Sequence, residues 1–218
     1  MSECMRLEQP LNDKQPVNDK ITVTFADQLA PAILENYFDK RAAWYQQRLN
    51  LPVCPKRRDE FDDESCFVLA TDGQECVGGL RATVRRPRQA GRLPMESCCP
   101  GLRLSDVFPD LDLEATPHAE ISKLIVHCSR GPLSFQNGIV DRLLKFMLVT
   151  NNPEPTVPFV FILAPRVQMR IYTSQARALG VNFETRLVPD TVLPEVLRPF
   201  APVMIQACYL DSSRIYLN

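Results

Sequence analysis

Residues 120–138 constrain the fold more than any other stretch, because a strand signal, a turn signal and a helix signal follow one another there. The apolar, partly β-branched residues typical of a buried strand are Ile121, Leu124, Ile125 and Val126. A polar break with glycine and proline follows, and from residue 139 apolar side chains recur at helical spacing. A helix start after such a turn offers free backbone N–H groups that suit an anionic or carbonyl-oxygen ligand. The acid in front of them, Glu120, makes the stretch a candidate site.

The rest of the chain completes a mixed α/β pattern. Further strands are predicted at residues 21–25, 66–70, 75–84, 159–164, 181–188 and 203–210, and further helices at about 27–50 and 166–179. Gly78 and Gly79 inside one strand indicate a bulge or a close backbone approach. The order predicts a mostly antiparallel central sheet flanked by helices, of the α/β (α+β) class, with one strand–helix–strand unit at residues 119–164.

Length and composition indicate a single globular domain. The chain has 218 residues and a net charge of −1, which gives it no global electrostatic attraction to nucleic acid. The polar residues 1–20 are predicted to form a flexible N-terminal arm, and residues 21–218 one domain. No window approaches 18 consecutive apolar residues, so no membrane span is predicted. The first ten residues lack the apolar core of a signal peptide, and a cytoplasmic location is expected.

The cysteines and histidines do not form a metal-binding pattern. Eight cysteines contain no C-x-x-C pair, and the chain has only two histidines, His118 and His127. Zinc sites need tighter ligand spacing, so reduced thiols and no metal site are predicted. The same lack of partners makes both histidines non-catalytic in our interpretation.

Charged residues at the ends of predicted core elements are the best candidates for chemistry. Charges inside strands are costly unless paired, and the obvious pairing is Arg41 and Arg81 with Asp59 and Asp62. Such a cluster could orient a polar substrate group or be a structural network. Glu120 likewise has two interpretations: a strand-edge acid paired with a neighbouring cation, or a general base that takes a proton from an amine nucleophile.

Five short motifs follow one another in the chain. They are Arg41-x-x-Trp44-Tyr45, Asp59-Glu60-Phe61-Asp62, Gly78-Gly79-Leu80-Arg81, Val107-Phe108-Pro109 and Glu120-Ile121-Ser122-Lys123. In this order they resemble the acyl-homoserine-lactone synthases (autoinducer synthases) and the related N-acyl amino acid synthases, within the acetyltransferase-like GNAT fold. The likeness spans roughly residues 35–130, and the downstream element order continues to fit that fold.

The resemblance implies roles for individual residues. It assigns substrate binding to Arg41, Tyr45, Asp59, Asp62, Arg81 and Phe108. It assigns the catalytic stretch to Glu120, Ser122 and Lys123, with Glu120 as the base. The turn with Arg130, Gly131 and Gly138 resembles a degenerate phosphate loop, which implies pantetheine or phosphate binding. Lys123 stands where the family has an arginine, so charge is kept and bidentate geometry is lost.

The implied chemistry is direct amide synthesis, with no permanently bound cofactor. An acyl thioester on acyl carrier protein or coenzyme A would donate its acyl chain to the amine of an amino acid or homoserine-lactone-type acceptor. The product would be an N-acyl amide lipid or a quorum-sensing signal. The candidate acyl-pocket walls Val160, Ile162 and Phe146 could equally be ordinary core residues. The arginines at 85, 86, 88 and 92 form either a solvated loop or a docking patch for an acidic carrier protein.

Two alternatives stay open at this point. One is an acetyltransferase of the same fold that uses a short acyl-coenzyme A. The other is a non-catalytic binding module with the same fold, in which the charged cluster is structural.

Overall fold

The computed structural model describes residues 21–49, 57–89, 91–127, 133–150 and 157–210. The predicted arm at residues 1–20 lies outside the described residues. In the described part, no helix is both long enough and apolar enough to cross a membrane.

Seven strands form one sheet in the order β1-β2-β3-β4-β5-β7-β6. The strands are β1 (Ile21–Phe25), β2 (Ser65–Asp72), β3 (Glu75–Arg85), β4 (His118–Val126), β5 (Phe159–Pro165), β6 (Asn182–Leu187) and β7 (Val203–Tyr209). All neighbouring strands are antiparallel except β4 and β5, which are parallel. The mostly antiparallel α/β sheet predicted from the sequence is therefore confirmed, including its strand–helix–strand unit.

Five α-helices accompany the sheet in the part of the chain that the structure describes. They are α1 (Pro31–Leu49), α2 (Pro94–Cys98), α3 (Leu104–Val107), α4 (Leu133–Lys145, continued by a π-helical turn at Phe146–Thr150) and α5 (Arg166–Ala178). Gly180, just after α5, has φ 68°, the left-handed conformation expected of a helix-terminating glycine. Two expectations need correction. The first helix starts at Pro31, because Ala26–Gln28 form a separate 3-10 turn, and α2 and α3 are short helices where the sequence predicted no regular element.

Alternation along the strands divides the core between the two faces of the sheet. In β2, Val68 and Ala70 belong to the cluster with α4, whereas Phe67 and Leu69 belong to the cluster with α1. In β3 and β4 the residues on either side of Arg81 and of Glu120 also belong to the α4 cluster. Because successive strand residues point to opposite faces, both charged side chains lie on the face covered by α1 and α2.

A β-bulge interrupts β4 next to these residues. Gly79 pairs with Ile125 and Arg81 pairs with Ser122, so β4 has one more residue than β3 between these pairs. Lys123 lies in the bulge with φ 55°, an unusual conformation for a side chain other than glycine. A Cβ on Gly79 would lie 2.9 Å from the Tyr37 ring, so this glycine permits a close approach of α1. Of the two alternatives expected at the glycine pair, the close approach is found at Gly79, whereas the extra residue of the bulge lies in the partner strand β4.

Candidate functional site

A cavity opens where the two parallel strands separate. The pairing of β4 with β5 runs from His118–Phe159 to Ile121–Ile162 and goes no further. Beyond that point a space of about 720 Å³ lies between the strands, the end of α1, α2, α5 and the segment that precedes β2. Its polar lining residues include Arg58, Asp59, Glu60, Arg81, Ser97, Cys98, Glu120, Ser122, Lys123 and Gln168. Its apolar and aromatic lining residues include Trp44, Tyr45, Phe61, Met95, Leu124, Ile162, Leu163, Tyr172, Leu197 and Phe200.

Glu120 is a buried acid in the wall of this cavity. Its exposed fraction is 3%, and its Oε2 accepts a 2.7 Å hydrogen bond from the backbone N–H of Met95. Burial raises the pKa of Glu120 to about 8, against the lowering effects of the Met95 hydrogen bond and of Arg81. A carboxyl group whose pKa lies near neutral pH can both accept and release a proton, as a general base must.

Arg81 is the centre of an ion network beside Glu120. Its Nη1 donates to Asp59 and, at 2.8 Å, to Oδ1 of Asp62, while its Nε donates to the hydroxyl of Ser122 at 3.2 Å. The arginine side chain is 1% exposed, and Asp59 is 30% exposed. Asp59 therefore faces the cavity, and its hydrogen bond with the buried Arg81 holds it in place.

Arg41 and Asp62 form a second layer behind Arg81. Arg41 Nη1 donates to Asp62 Oδ1 at 2.9 Å, and a second guanidinium nitrogen donates to Oδ2. Asp62 also accepts from the N–H of Asp59 at 2.9 Å. Neither Arg41 nor Asp62 is among the cavity-lining residues that the structure describes. The pairing predicted from the sequence is confirmed, and it divides into a buried pair and a cavity-facing pair.

Burial and ion pairing act in opposite directions on Asp62. Burial tends to raise the pKa of this carboxyl, but hydrogen bonds from Arg41, the Asp59 N–H and Arg81 outweigh it and hold the pKa below its ordinary value. Asp62 is therefore charged at neutral pH and is the buried counter-ion that Arg41 and Arg81 share.

The bulge of β4 places Lys123 at the edge of the cavity. Its Nζ lies 3.4 Å from Oδ2 of Asp59 and 4.9 Å from the centre of the Tyr45 ring. Its carbonyl oxygen accepts a 2.8 Å hydrogen bond from the Tyr37 hydroxyl. The sequence prediction did not include Tyr37, which supports the bulge from α1. The available signal in the sequence was the glycine pair Gly78-Gly79, which indicates that another segment approaches this strand closely.

Of the other residues predicted from the resemblance, Phe108 and Gly138 are not among the cavity-lining residues that the structure describes. Phe108 is wholly buried, with its ring centre 5.4 Å from that of Phe161, and it is not among the described lining residues. The expectation that it lines the site differs from the structure, because α3 turns this side chain into the core. Gly138 lies within α4 and not at its start. Arg130 and Gly131 lie outside the described residues.

The structure shows which of the three candidate wall residues of the acyl pocket line the cavity. All three belong to the core cluster under α4, but Ile162 also lines the cavity, whereas Val160 and Phe146 do not. The divergence of the strands explains the difference, because among the β5 residues that pair with β4 only the last, Ile162, borders the gap. Phe146 packs edge-to-face on Phe25, with ring centres 5.2 Å apart.

Cys98 is a cavity residue that sequence reasoning missed. It lies at the end of α2, is exposed, and its thiol is hydrogen-bonded to that of the buried Cys99. That hydrogen bond, followed by the charge of Lys123, lowers the pKa of Cys98 despite some desolvation. The only sequence signal was the adjacent cysteine pair. Within the described ranges, no three His, Cys, Asp or Glu side chains group closely enough to hold a metal ion.

Comparison with known proteins identifies the fold. No family model and no curated protein sequence matches this chain. The solved structures that align over most of their length include two acyl-homoserine-lactone synthases and an N-acyl amino acid synthase. The acyl-homoserine-lactone (AHL) synthase LasI has a TM-score of 0.54 and 11% identity, covering 88% of this chain and 89% of its own. The coenzyme-A-dependent acyl-homoserine lactone synthase BjaI, solved with SAM and isopentyl-CoA, has a TM-score of 0.54 and 16% identity, covering 89% and 86%.

The third structure is FeeM, an N-acyl amino acid synthase from uncultured soil microbes. It aligns with a TM-score of 0.55 and 15% identity, covering 90% of this chain and 95% of its own. These values show that the chain shares the fold of these three synthases, and the resemblance inferred from the five sequence motifs is confirmed at the level of the fold. Identities this low carry no statement about substrates.

Proposed function

We propose that this protein is an N-acyltransferase that moves an acyl chain from a thioester to the amine of an amino acid or homoserine-lactone-type acceptor. One observation carries the proposal: Glu120, with a pKa raised to about 8, lines the gap between β4 and β5 together with the Asp59–Arg81 pair. A proton acceptor, a binding group for a polar molecule and a long cleft thus lie in one cavity. Glu120, Asp59 and Arg81 all belong to the sequence motifs that resemble those of the acyl-homoserine-lactone synthases.

The donor is assigned to the gap between the strands. Thioesters on acyl carrier protein or on coenzyme A share the pantetheine arm, which is long and polar and can lie along a separated strand edge. The apolar lining includes Ile162, Leu163, Tyr172, Leu197 and Phe200, which suits an acyl chain. A cavity of about 720 Å³ favours a chain longer than acetyl.

The acceptor is assigned to the polar end of the cavity. Arg81 and Lys123 offer positive charge to a carboxylate or carbonyl, and Asp59 offers negative charge to an amine. Arg41 and Asp62 keep this group of charges in place from behind. In this arrangement Asp59 is a binding residue and Asp62 a positioning residue.

In the reaction, the amine nitrogen attacks the thioester carbonyl and a tetrahedral oxyanion forms. Ionised Glu120 takes the proton that the nitrogen loses, directly or through water. We assign stabilisation of the oxyanion to backbone N–H groups of β4 where it separates from β5. The carbon–sulfur bond then breaks, and the pantetheine thiolate leaves and is protonated.

Incubation of the protein with decanoyl thioesters of carrier protein and of coenzyme A, together with a panel of amino acids and homoserine lactone, tests the proposal. We expect an amide in the mass spectrum and one equivalent of free thiol for each amide formed. Thiol release without an amide would indicate hydrolysis, and the absence of both with every donor and amine would reject the proposal.

A further inference from the structure

Two adjacent thiols lie at the end of α2, one facing the cavity and one facing the core. Cys98 is exposed and lines the cavity, whereas Cys99 is wholly buried in the apolar cluster that contains Phe108 and Phe161. A hydrogen bond joins the two thiols. We call Cys98 and Cys99 the vicinal thiol pair. In such an arrangement an oxidised outer thiol can be resolved by the inner thiol that lies against it.

The outer thiol has the surroundings of a reactive cysteine. The hydrogen bond from Cys99 and the positive charge of Lys123 lower the pKa of Cys98, which increases its thiolate fraction at neutral pH. The same hydrogen bond and burial raise the pKa of Cys99. Cys76 and Cys208 are buried, and burial raises their pKa values as well. Among the cysteines that the structure describes, Cys98 alone is exposed, so it is the expected first target of an oxidant.

A disulfide between neighbouring residues is strained and is therefore easily reduced. Consecutive Cα atoms lie about 3.8 Å apart across a trans peptide bond, below the range of about 4.4–6.8 Å that most disulfides span. Strained disulfides have more oxidising potentials and are the labile ones. A disulfide within the vicinal thiol pair would thus be opened by an ordinary dithiol, unlike a structural disulfide.

The backbone of the vicinal thiol pair is coupled to the proposed base. The N–H of Cys99 donates to the carbonyl oxygen of Met95 at 3.0 Å, and the N–H of Met95 donates to Glu120. Because one cysteine side chain points to the cavity and the other to the core, the two sulfurs can bond only if the backbone torsions between them change. Closing the ring therefore disturbs the hydrogen bond that ends α2 and, through Met95, the orientation of Glu120.

We propose that the vicinal thiol pair is a reversible modification site, which a peroxide converts into a disulfide that lowers the activity of the cavity. The loss of activity rests on the proposed function, whereas formation of the disulfide does not. Two effects act together. The ring displaces the segment that orients Glu120, and it removes the Cys98 thiol from the cavity wall.

The oxidation takes place in two balanced steps. The Cys98 thiolate attacks hydrogen peroxide, an S–O bond forms as the O–O bond breaks, and the released hydroxide takes a proton and becomes water. The Cys99 sulfur then attacks the sulfur of the Cys98 sulfenic acid and gives up its proton. An S–S bond forms, the S–O bond breaks, and a second water leaves. The two thiols lose two electrons in total, and the peroxide gains them. A dithiol reverses the change by thiol–disulfide exchange.

Peptide mapping after treatment with hydrogen peroxide tests the site without turnover. Trypsin cleaves after Arg92 and Arg103, and the peptide 93–103 contains both cysteines of the pair and no other. We expect this peptide to become lighter by two hydrogens and to stop reacting with iodoacetamide, and dithiothreitol should reverse both changes. Neither Cys98→Ser nor Cys99→Ser should form the disulfide. A peptide that keeps both free thiols, or that carries a sulfinic acid without the disulfide, overturns the inference.

Two measurements follow the effect on the cavity. Amide hydrogen exchange in residues 94–99 should quicken on oxidation. Turnover of amide in the assay described above should fall by about tenfold or more and should recover with dithiothreitol, because a small displacement of a catalytic group is enough to slow a reaction to this extent. The matched control is Cys66→Ser, which removes a half-buried thiol of β2 and should show the same loss and recovery as wild type.

The outcomes separate this inference from the proposed function. Unchanged turnover of a protein whose vicinal thiol pair is shown to be oxidised overturns the inference. The same reversible loss in Cys98→Ser overturns it as well, since the loss would then arise elsewhere. If the reduced protein forms no amide with any donor, the proposed function fails, while peptide mapping and amide exchange still decide whether the disulfide forms and moves α2.

Discussion

The backbone N–H of Met95 lies 2.7 Å from Oε2 of Glu120 and donates a hydrogen bond to it. This contact joins α2 to the centre of the sheet and fixes one oxygen of the buried carboxyl group. Glu96 holds the same segment in place, since its two carboxylate oxygens accept from the N–H groups of Leu93 and Leu104. The general base we propose is thus oriented by backbone and not by a second charged side chain.

Glu120→Gln keeps the shape of the side chain and its acceptor oxygen for Met95, but removes the base. We expect turnover to fall by about 10²- to 10⁴-fold, the usual contribution of a general base, without loss of the fold. Because the base acts when ionised, wild-type turnover should rise with pH up to about pH 8. Steady-state assays from pH 6 to 9 check both. An unchanged rate in the variant would exclude Glu120 as the base.

The same carboxyl group also makes folding stability depend on pH. Its pKa is about 8 in the folded protein and near 4.5 when unperturbed, so the folded state holds the proton more tightly. The resulting stability is fully present below about pH 4.5 and is lost as pH rises through about 8. Replacement by glutamine removes this loss. Urea titrations of wild type and Glu120→Gln should therefore diverge in favour of the variant between pH 5 and pH 9, with the exposed Glu114→Gln as a control that stays parallel to wild type.

The two aspartates of the ion network should behave differently when replaced. Asp62→Asn leaves Arg41 and Arg81 without their shared buried counter-ion, and we expect a loss of about 3 kcal/mol in the free energy of unfolding. Asp59→Asn affects a partly exposed pair, and we expect about 1 kcal/mol or less. The second variant should instead raise the KM for the amine. Equal effects of both on stability would contradict the division into two layers.

The low folded-state pKa of Asp62 also makes folding stability depend on pH. A carboxyl group whose pKa is depressed on folding stabilises the protein above its unfolded pKa, near 3.8, and loses that contribution as pH falls through the lower folded value. Wild type should therefore lose stability on acidification below about pH 4, and Asp62→Asn should lose less over the same interval.

The close approach of α1 to β3 makes the bulge testable. Gly79→Ala would place a methyl group 2.7 Å from Leu69 Cδ2 and 2.9 Å from the Tyr37 ring, so we expect a loss of about 1–3 kcal/mol in stability. Tyr37→Phe removes only the hydrogen bond to the Lys123 carbonyl oxygen and should lose about 1 kcal/mol. Both should lower turnover, because the bulge borders the cavity. Turnover equal to wild type in Tyr37→Phe would show that this support is not needed.

Cys98 offers a chemical probe of the cavity. Since its pKa is lowered and it is exposed, iodoacetamide should modify it faster than Cys99, which is wholly buried. Modification places a group inside the cavity, so a saturating acyl donor should slow it. Peptide mapping by mass spectrometry follows the modification of each thiol. Modified wild-type protein should lose turnover, and Cys98→Ser should keep its turnover under the same treatment. Modification at an unchanged rate in the presence of donor would place the donor elsewhere.

Strand and helix positions were predictable from the sequence because they depend on local patterns. The apolar run at 159–164 became β5 and the glycine after residue 179 ended α5, since these signals act over a few residues. The pairing of Arg41 and Arg81 with the two aspartates was also predictable, because buried charges require partners.

Sequence could not show which side chains reach the cavity. Phe108 was expected to line it and lies in the core. Val160, for which both a pocket wall and an ordinary core residue were open, is a core residue, while Cys98 and Tyr172 line the cavity without having been predicted. Which side chains point into the cavity depends on where β4 and β5 separate and on how α2 folds over Glu120. Both are set by contacts between segments far apart in the chain.

The four paired positions between β4 and β5 are the whole sheet connection between a four-stranded ribbon, β1 to β4, and a three-stranded ribbon, β5 to β7. Such a seam is the weakest line in the sheet, and amide protons beside it should exchange with solvent sooner than those within either ribbon. A pantetheine arm in the gap would act as a partial eighth strand and tie the ribbons together. Binding of the donor would then slow amide hydrogen exchange in β6 and β7, although these strands lie far from the reacting atoms.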